Sequence, residues 1–182
     1  MKILVSWLGQ TDLNAAAGEE RAGLGPVGQA VTKRSFDLIV LLSNYPKTAS
    51  ANYVTWIEGH TKATVELNLV ELSSPTHFGE IYQAVTNKLS ALHAKHGDTA
   101  HLTFHLSPGT PAMSAVWIIV AKTRYGAELI ESSKQQGVRT ANVPFDISAE
   151  FVPEVYRRAD QDLARLSAGL SEEAPGFSDI IH

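Results

Sequence analysis

Cysteine is absent from the 182-residue chain. That excludes a disulfide framework and a thiolate zinc site, and it agrees with a reducing compartment. No apolar run reaches the roughly 20 residues that a membrane-spanning helix needs. The opening Met1-Lys2-Ile3-Leu4-Val5 breaks off at Ser6-Trp7 and a polar turn, too short for a secretory signal, so a cytoplasmic protein without membrane attachment is expected. Basic charge is also scarce: 15 Lys and Arg stand against 19 Asp and Glu, for a net charge of −4, and the cations are scattered. A protein that grips long DNA or RNA carries a basic patch. Any nucleic-acid ligand here should therefore be small and held by local geometry. No Gly-Lys-Ser/Thr triplet occurs, so there is no Walker A loop. Ser107 has no assignable base and no G-x-S-x-G setting, so no Ser-His-Asp arrangement is credible.

What is present is an ordinary globular composition, with 44% hydrophobic and 19% charged residues, suited to one domain with a full core. Lys2 to Leu8 and Phe36 to Leu42 are apolar enough for strands buried on both faces. Thr64 to Val70 alternates as a third strand, His101 to Leu106 reads as a fourth and Ala127 to Ser132 as a fifth, with Arg139 to Val143 a further candidate. Gly9 to Gly25 reads as a loop with at most one helical turn. Helices are expected at Pro26 to Arg34, Ala49 to His60, Pro75 to Lys95 and Pro111 to Arg124. In the third of these Phe78, Ile81, Tyr82, Val85, Leu89 and Leu92 recur at three- and four-residue steps. Alternating strands and helices predict an α/β, Rossmann-like fold with a mostly parallel sheet flanked by helices. Ligands of such sheets sit beyond the carboxyl ends of the strands, which selects Leu8 to Asp12, Ser43 to Tyr45 and Ser107 to Met113.

The division expected is a domain over residues 1–150 and an appendage over 151–182. In the appendage Tyr156, Ala159, Leu163, Leu166 and Leu170 form a short apolar stripe. It fits a helix that pairs with another helix, or equally one that packs back on its own domain. Residues 171–176 read as a linker, and the ending Phe177-Ser178-Asp179-Ile180-Ile181-His182 reads as a cut within something longer.

The segment richest in chemistry is Ser107-Pro108-Gly109-Thr110-Pro111-Ala112-Met113-Ser114. A buried strand runs into a turn, and Thr110 is placed to cap a helix whose first residue, Pro111, lacks the amide hydrogen that would go unpaired. A helix start suits a phosphate, Gly109 allows close backbone approach, and the Ser107 and Thr110 hydroxyls can donate. A plain capped helix without ligand accounts for the same residues equally well. In the first loop, Trp7 offers a face for a base or simply packs in the core. Gly9, Gln10, Thr11 and Asp12 offer backbone, amide, hydroxyl and carboxylate, with turn capping the alternative for Asp12. Ser43 and Asn44 form a similar strand-end cluster, and Tyr45 before Pro46 reads as turn chemistry. Gly23-Leu24-Gly25-Pro26-Val27-Gly28 matches G-x-G-x-x-G, but a long polar stretch separates it from the first strand and no acid ends the next, so it reads as a helix entry. His101 and His105 share a strand face without a nearby carboxylate, so satisfied histidines are expected rather than a metal site.

These residues resemble a family. A first-strand polar loop, Gly9-Gln10-Thr11-Asp12, followed later by a strand-Ser107-x-Gly109-Thr110-Pro111-x-Met113-helix segment is similar to CARF domains, over roughly residues 1 to 150. The terminal Phe177 to Ile181 resembles the lead-in to the AAA+ module of sigma-54-dependent activators, the layout of RtcR-like regulators of RNA repair. The resemblance implies a homodimeric sensor domain binding a small cyclic or cyclic-phosphate-ended oligonucleotide, with AAA+ and DNA-binding domains downstream in transcription regulation. It implies a ligand site drawn from Ser6, Trp7, Gly9, Gln10, Thr11, Asp12, Ser43, Asn44, Ser107, Gly109, Thr110, Pro111 and Met113, with no cofactor and no catalytic residue assigned. Some CARF domains cleave their ligand. This chain lacks the Lys or Arg that many relatives carry beside Gly109, which weakens both tight cyclic-oligoadenylate binding and ring cleavage. A ring nuclease and a ligand-free dimerisation domain remain the alternatives.

Overall fold

Six strands form one sheet in the order β3-β2-β1-β4-β5-β6. They are β1 (Lys2–Trp7), β2 (Leu38–Ser43), β3 (Thr64–Leu69), β4 (His101–His105), β5 (Glu128–Ser133) and β6 (Gly137–Thr140). The first five pair in parallel and β6 runs antiparallel to β5. The computed structural model describes residues 1–144, and Met1–Pro144 forms one compact unit. The helix and linker expected beyond residue 151 lie outside the described residues. Five α-helices connect the strands: α1 (Gln10–Ala16), α2 (Gly25–Lys33), α3 (Lys47–Glu58), α4 (Phe78–His96) and α5 (Pro111–Val120). None of the described helices is long and apolar enough to cross a membrane.

Side chains of a strand alternate between the two faces of a sheet, and both faces here are covered. Ile3, Val5, Trp7, Leu38, Val40, Leu42 and Phe104 pack against Ile81, Val85 and Leu89 of α4 and Val116, Trp117 and Val120 of α5. Leu4, Leu8, Ile39 and Leu41 pack against Val27 and Val31 of α2 and Tyr53 and Ile57 of α3. Phe104 and Trp117 stack with ring centroids 4.7 Å apart. This double cover is why β1 and β2 read as unbroken apolar runs.

The departures from expectation are local. Residues 9–25 hold a two-turn helix, α1, where a loop was expected, because the Asp12 side chain accepts from the Gly9 amide and closes its first turn. The glycine-rich stretch does enter a helix, α2. β6 covers Gly137–Thr140 rather than 139–143, and it is antiparallel because only three residues of turn separate it from β5. After Val120 the helix widens into a π-turn, Ala121–Tyr125. Phe78 and Tyr82, expected within the buried stripe, are 53% and 38% exposed.

Candidate functional site at the switch point

Strand order reverses between β1 and β4, so the loops leaving these neighbouring strands diverge to opposite faces and open a crevice at their carboxyl ends. A depression of about 300 Å³ occupies this place. The loop after β1 contributes Leu8, Gly9, Gln10, Thr11 and Asp12. The loop after β2 contributes Asn44 and Tyr45, and the loop after β4 contributes Ser107, Pro108, Gly109 and Thr110. Pro26, Pro75 and Met113 complete the lining. Larger depressions, of about 420 and 660 Å³, lie at the opposite end of the sheet around His93, Arg124 and Tyr125 and around Lys2, Arg34 and His101. They are open grooves at the amino ends of strands, where parallel α/β folds do not place ligands.

The two principal loops touch. A Cβ on Gly9 would stand 3.0 Å from the Gly109 nitrogen, so only glycine lets β1 and β4 present their loops side by side. Gly109 has φ +88°, the left-handed region that favours glycine. Thr110 caps α5: its Oγ1 accepts from the Met113 amide at 3.4 Å and donates to the Pro75 carbonyl at 2.7 Å. The hydroxyl thus ties the turn to the loop before α4. The positive end of α5 opens at the depression.

Asp12 is fully buried. Its Oδ2 accepts from the Gly9 amide at 3.0 Å and its Oδ1 from the Val27 amide at 2.9 Å. Burial pushes its carboxyl up to about 7 against the pull of these two amides. Gly25, at φ +67°, leaves it room, since a Cβ there would lie 2.7 Å from Oδ1. Asp12 therefore holds the first loop against the start of α2, with neither oxygen spare for a ligand.

The second loop reaches the same helix by another route. Ser107 Oγ accepts from the Ser132 amide at 2.7 Å, and Ser132 Oγ lies 2.7 Å from His105 Nε2 and 3.3 Å from the Pro26 carbonyl, to which it donates. His105 is buried beside Ser6, with Ser6 Oγ 3.5 Å from Nδ1, and desolvation pulls its imidazole down to about 3. It is a neutral, satisfied core histidine. Among the described residues no cluster of His, Asp or Glu could hold a metal ion.

Of the thirteen residues selected from the sequence, Gly9, Gln10, Thr11, Asp12, Asn44, Ser107, Gly109, Thr110 and Met113 line the depression. Ser6, Trp7 and Ser43 are fully buried. Trp7 lies in the core with no face left for a base. Ser43 Oγ is engaged by Ser50 Oγ at 2.8 Å and by the Tyr45 amide at 3.2 Å. Pro111 is exposed and is not among the residues lining the depression. The sequence places Tyr45 in a strand-end segment but assigns it turn chemistry rather than a site role, and it gives no sign of Pro26 and Pro75, whose place depends on long-range packing that no local spacing records. Burial and the Asp12 charge raise the Tyr45 hydroxyl above its ordinary range. The described lining contains no Lys, Arg or His.

Together these features define a Rossmann-like α/β domain with a depression at its switch point, lined by apolar, hydroxyl and amide groups and without a cation in its described lining. Solved structures share the fold. Csm6 from Enterococcus italicus, bound to cyclic hexa-2′-fluoro-hexa-dAMP, matches with a TM-score of 0.60 at 18% identity, over 78% of this chain and 36% of that one. VC1899 from Vibrio cholerae matches at 0.57 and 12% identity, over 80% and 36%. Can2 from Sulfobacillus thermosulfidooxidans, in complex with cyclic tetra-adenylate, matches at 0.55 and 11%, over 76% and 34%. The chain thus spans about a third of the length of each of these proteins. No protein-family model matches the sequence, and a search of curated proteins finds no match.

Proposed function

We propose that this chain is a CARF-type sensor domain whose switch-point depression binds a small oligonucleotide, cyclic or ended by a cyclic phosphate. The observation that carries the reading is the convergence of the Gly9 and Gly109 turns beside the capped start of α5. That arrangement offers backbone and hydroxyl donors to a phosphate without a fixed cation. Asn44 and Tyr45 flank it with groups that can meet a base. The ligands named for Csm6 and Can2, both cyclic oligonucleotides, support the assignment. We read the site as a binding site, with cleavage of the bound ring the alternative.

The ligand is taken up by a homodimer, each copy contributing the same depression across a two-fold axis, which suits a ring-shaped molecule. Exposed Phe78, Tyr82 and Ile119 on α4 and α5 give that contact apolar surface. In the full-length protein the domain controls a sigma-54 activator ATPase, a reading that rests on the Phe177 to Ile181 resemblance. Occupancy works through a difference in affinity between two poses of the domain.

Thermal unfolding against cyclic tri-, tetra- and hexa-adenylate, short RNAs ended by 2′,3′-cyclic phosphate, NAD and ATP tests the binding. A ligand at about 100 times its Kd adds about 2.7 kcal/mol. The expected outcome is a raised Tm with a cyclic or cyclic-phosphate-ended oligonucleotide, and no rise in Gly109→Ala. An unchanged Tm with every compound would contradict the reading.

A further inference from the structure

We infer that the site is selective for phosphate in diester linkage, carrying one negative charge, and rejects terminal phosphomonoesters, because the buried Asp12 carboxylate lies behind the phosphate loop with no cation in the described lining to offset it. The inference rests on the proposed function, in which the Gly109 turn and the start of α5 hold a phosphate.

Sites for doubly charged phosphate ordinarily use Arg or Lys, whose charge and donors match the dianion. Here every donor offered is neutral: backbone amides, the Ser107, Thr11 and Tyr45 hydroxyls, and the Asn44 amide. The local charge is of the opposite sign. The position of a Cβ on Gly9 is 3.0 Å from the Gly109 nitrogen and 3.3 Å from Asp12 Oδ2. Carboxylate and phosphate loop are thus separated by at most about 6 Å, within which charges in a partly buried site interact strongly. Two backbone amides fix the carboxylate there, so it cannot swing out to solvent. The titratable groups that face Asp12 are Tyr45, after β2, and Tyr53, on α3, and both hydroxyls are held above their ordinary range. At pH 8.5 they are neutral and leave the carboxylate uncompensated. A diester brings one negative charge to this place and a monoester brings nearly two.

The smallest chemical contrast is hydrolysis of a 2′,3′-cyclic phosphate. Water adds to phosphorus, the bond to O2′ or O3′ breaks, that oxygen takes a proton, and a monoanionic diester becomes a monoester that ionises twice. A site of this kind reports the closed form and releases the opened one.

The test is calorimetric titration of the 182-residue chain at pH 8.5 with three probes: cyclic tetra-adenylate, linear tetra-adenylate ended by a 2′,3′-cyclic phosphate, and linear tetra-adenylate ended by a 3′-phosphate. At least one diester-only probe is expected to bind ten-fold or more tightly than the 3′-phosphate probe. Asp12→Asn is expected to bring the two within about three-fold. Asn44→Lys, which places a cation at the rim without disturbing a buried group, is expected to do the same. Equal or tighter binding of the 3′-phosphate probe by the unaltered chain would overturn the selectivity and leave the oligonucleotide reading standing. Failure of all three probes to bind would remove the reading beneath it.

Discussion

Asp12 shows how one residue type serves two readings. From sequence it is a carboxylate at a strand end, equally a ligand contact or a turn cap. In the structure it is buried between two backbone amides, which makes it the fastener between the first loop and α2. The consequence for stability has a definite sign. Its folded carboxyl titrates near 7, above its ordinary 3.8, so the folded state binds the proton more tightly than the unfolded state does. The stabilisation is fully present below about pH 4 and is lost as pH rises towards 7. Asp12→Asn removes this dependence. Urea unfolding at pH 5 and pH 8 is expected to show the variant gaining on the parent by on the order of 2 kcal/mol across that interval. An equal difference at both pH values would show that Asp12 is ionised throughout.

At the scale of elements, α5 was the most legible part of the site. Thr110 before Pro111 marks a helix start through chemistry confined to four residues, and the hydroxyl does accept from the Met113 amide. Thr110→Ala is expected to lower stability by about 1 kcal/mol, and Thr110→Ser to restore most of it. Chemical denaturation of the two variants checks this, and an unaffected Ala variant would deny the cap its role. The strands were legible for a similar reason, since double burial writes itself as an apolar run. What could not be read depends on distant partners. The link from Ser107 through Ser132 and His105 to the start of α2 joins two strands and a helix. Trp7 could be read from sequence as a base platform or as core, and packing decides for the core, beneath Gly109 and against the α4–α5 layer. The two-turn α1 was missed because its capping comes from Asp12 inside the helix and from no Ser or Thr ahead of it.

On the scale of the described unit, chemistry is concentrated at one end of the sheet. The carboxyl ends of β1, β2 and β4 carry glycine, hydroxyl and amide groups without a cation, whereas ion pairs such as Arg34 with Glu128 lie towards the other end. The start of α2 is tied to both site loops, and Arg34 just past its last turn bonds Glu128 and Thr140 of the β5–β6 pair. One helix therefore spans from the depression to the final strand. The central claim, that the ligand sits at the switch point, is tested most directly by mapping backbone amide NMR shifts while cyclic tetra-adenylate is added. The largest changes are expected at residues 9–12, 44–45 and 107–113. Changes centred instead on Lys2, Arg34 and His101 would contradict the account and move the site to the opposite end of the sheet.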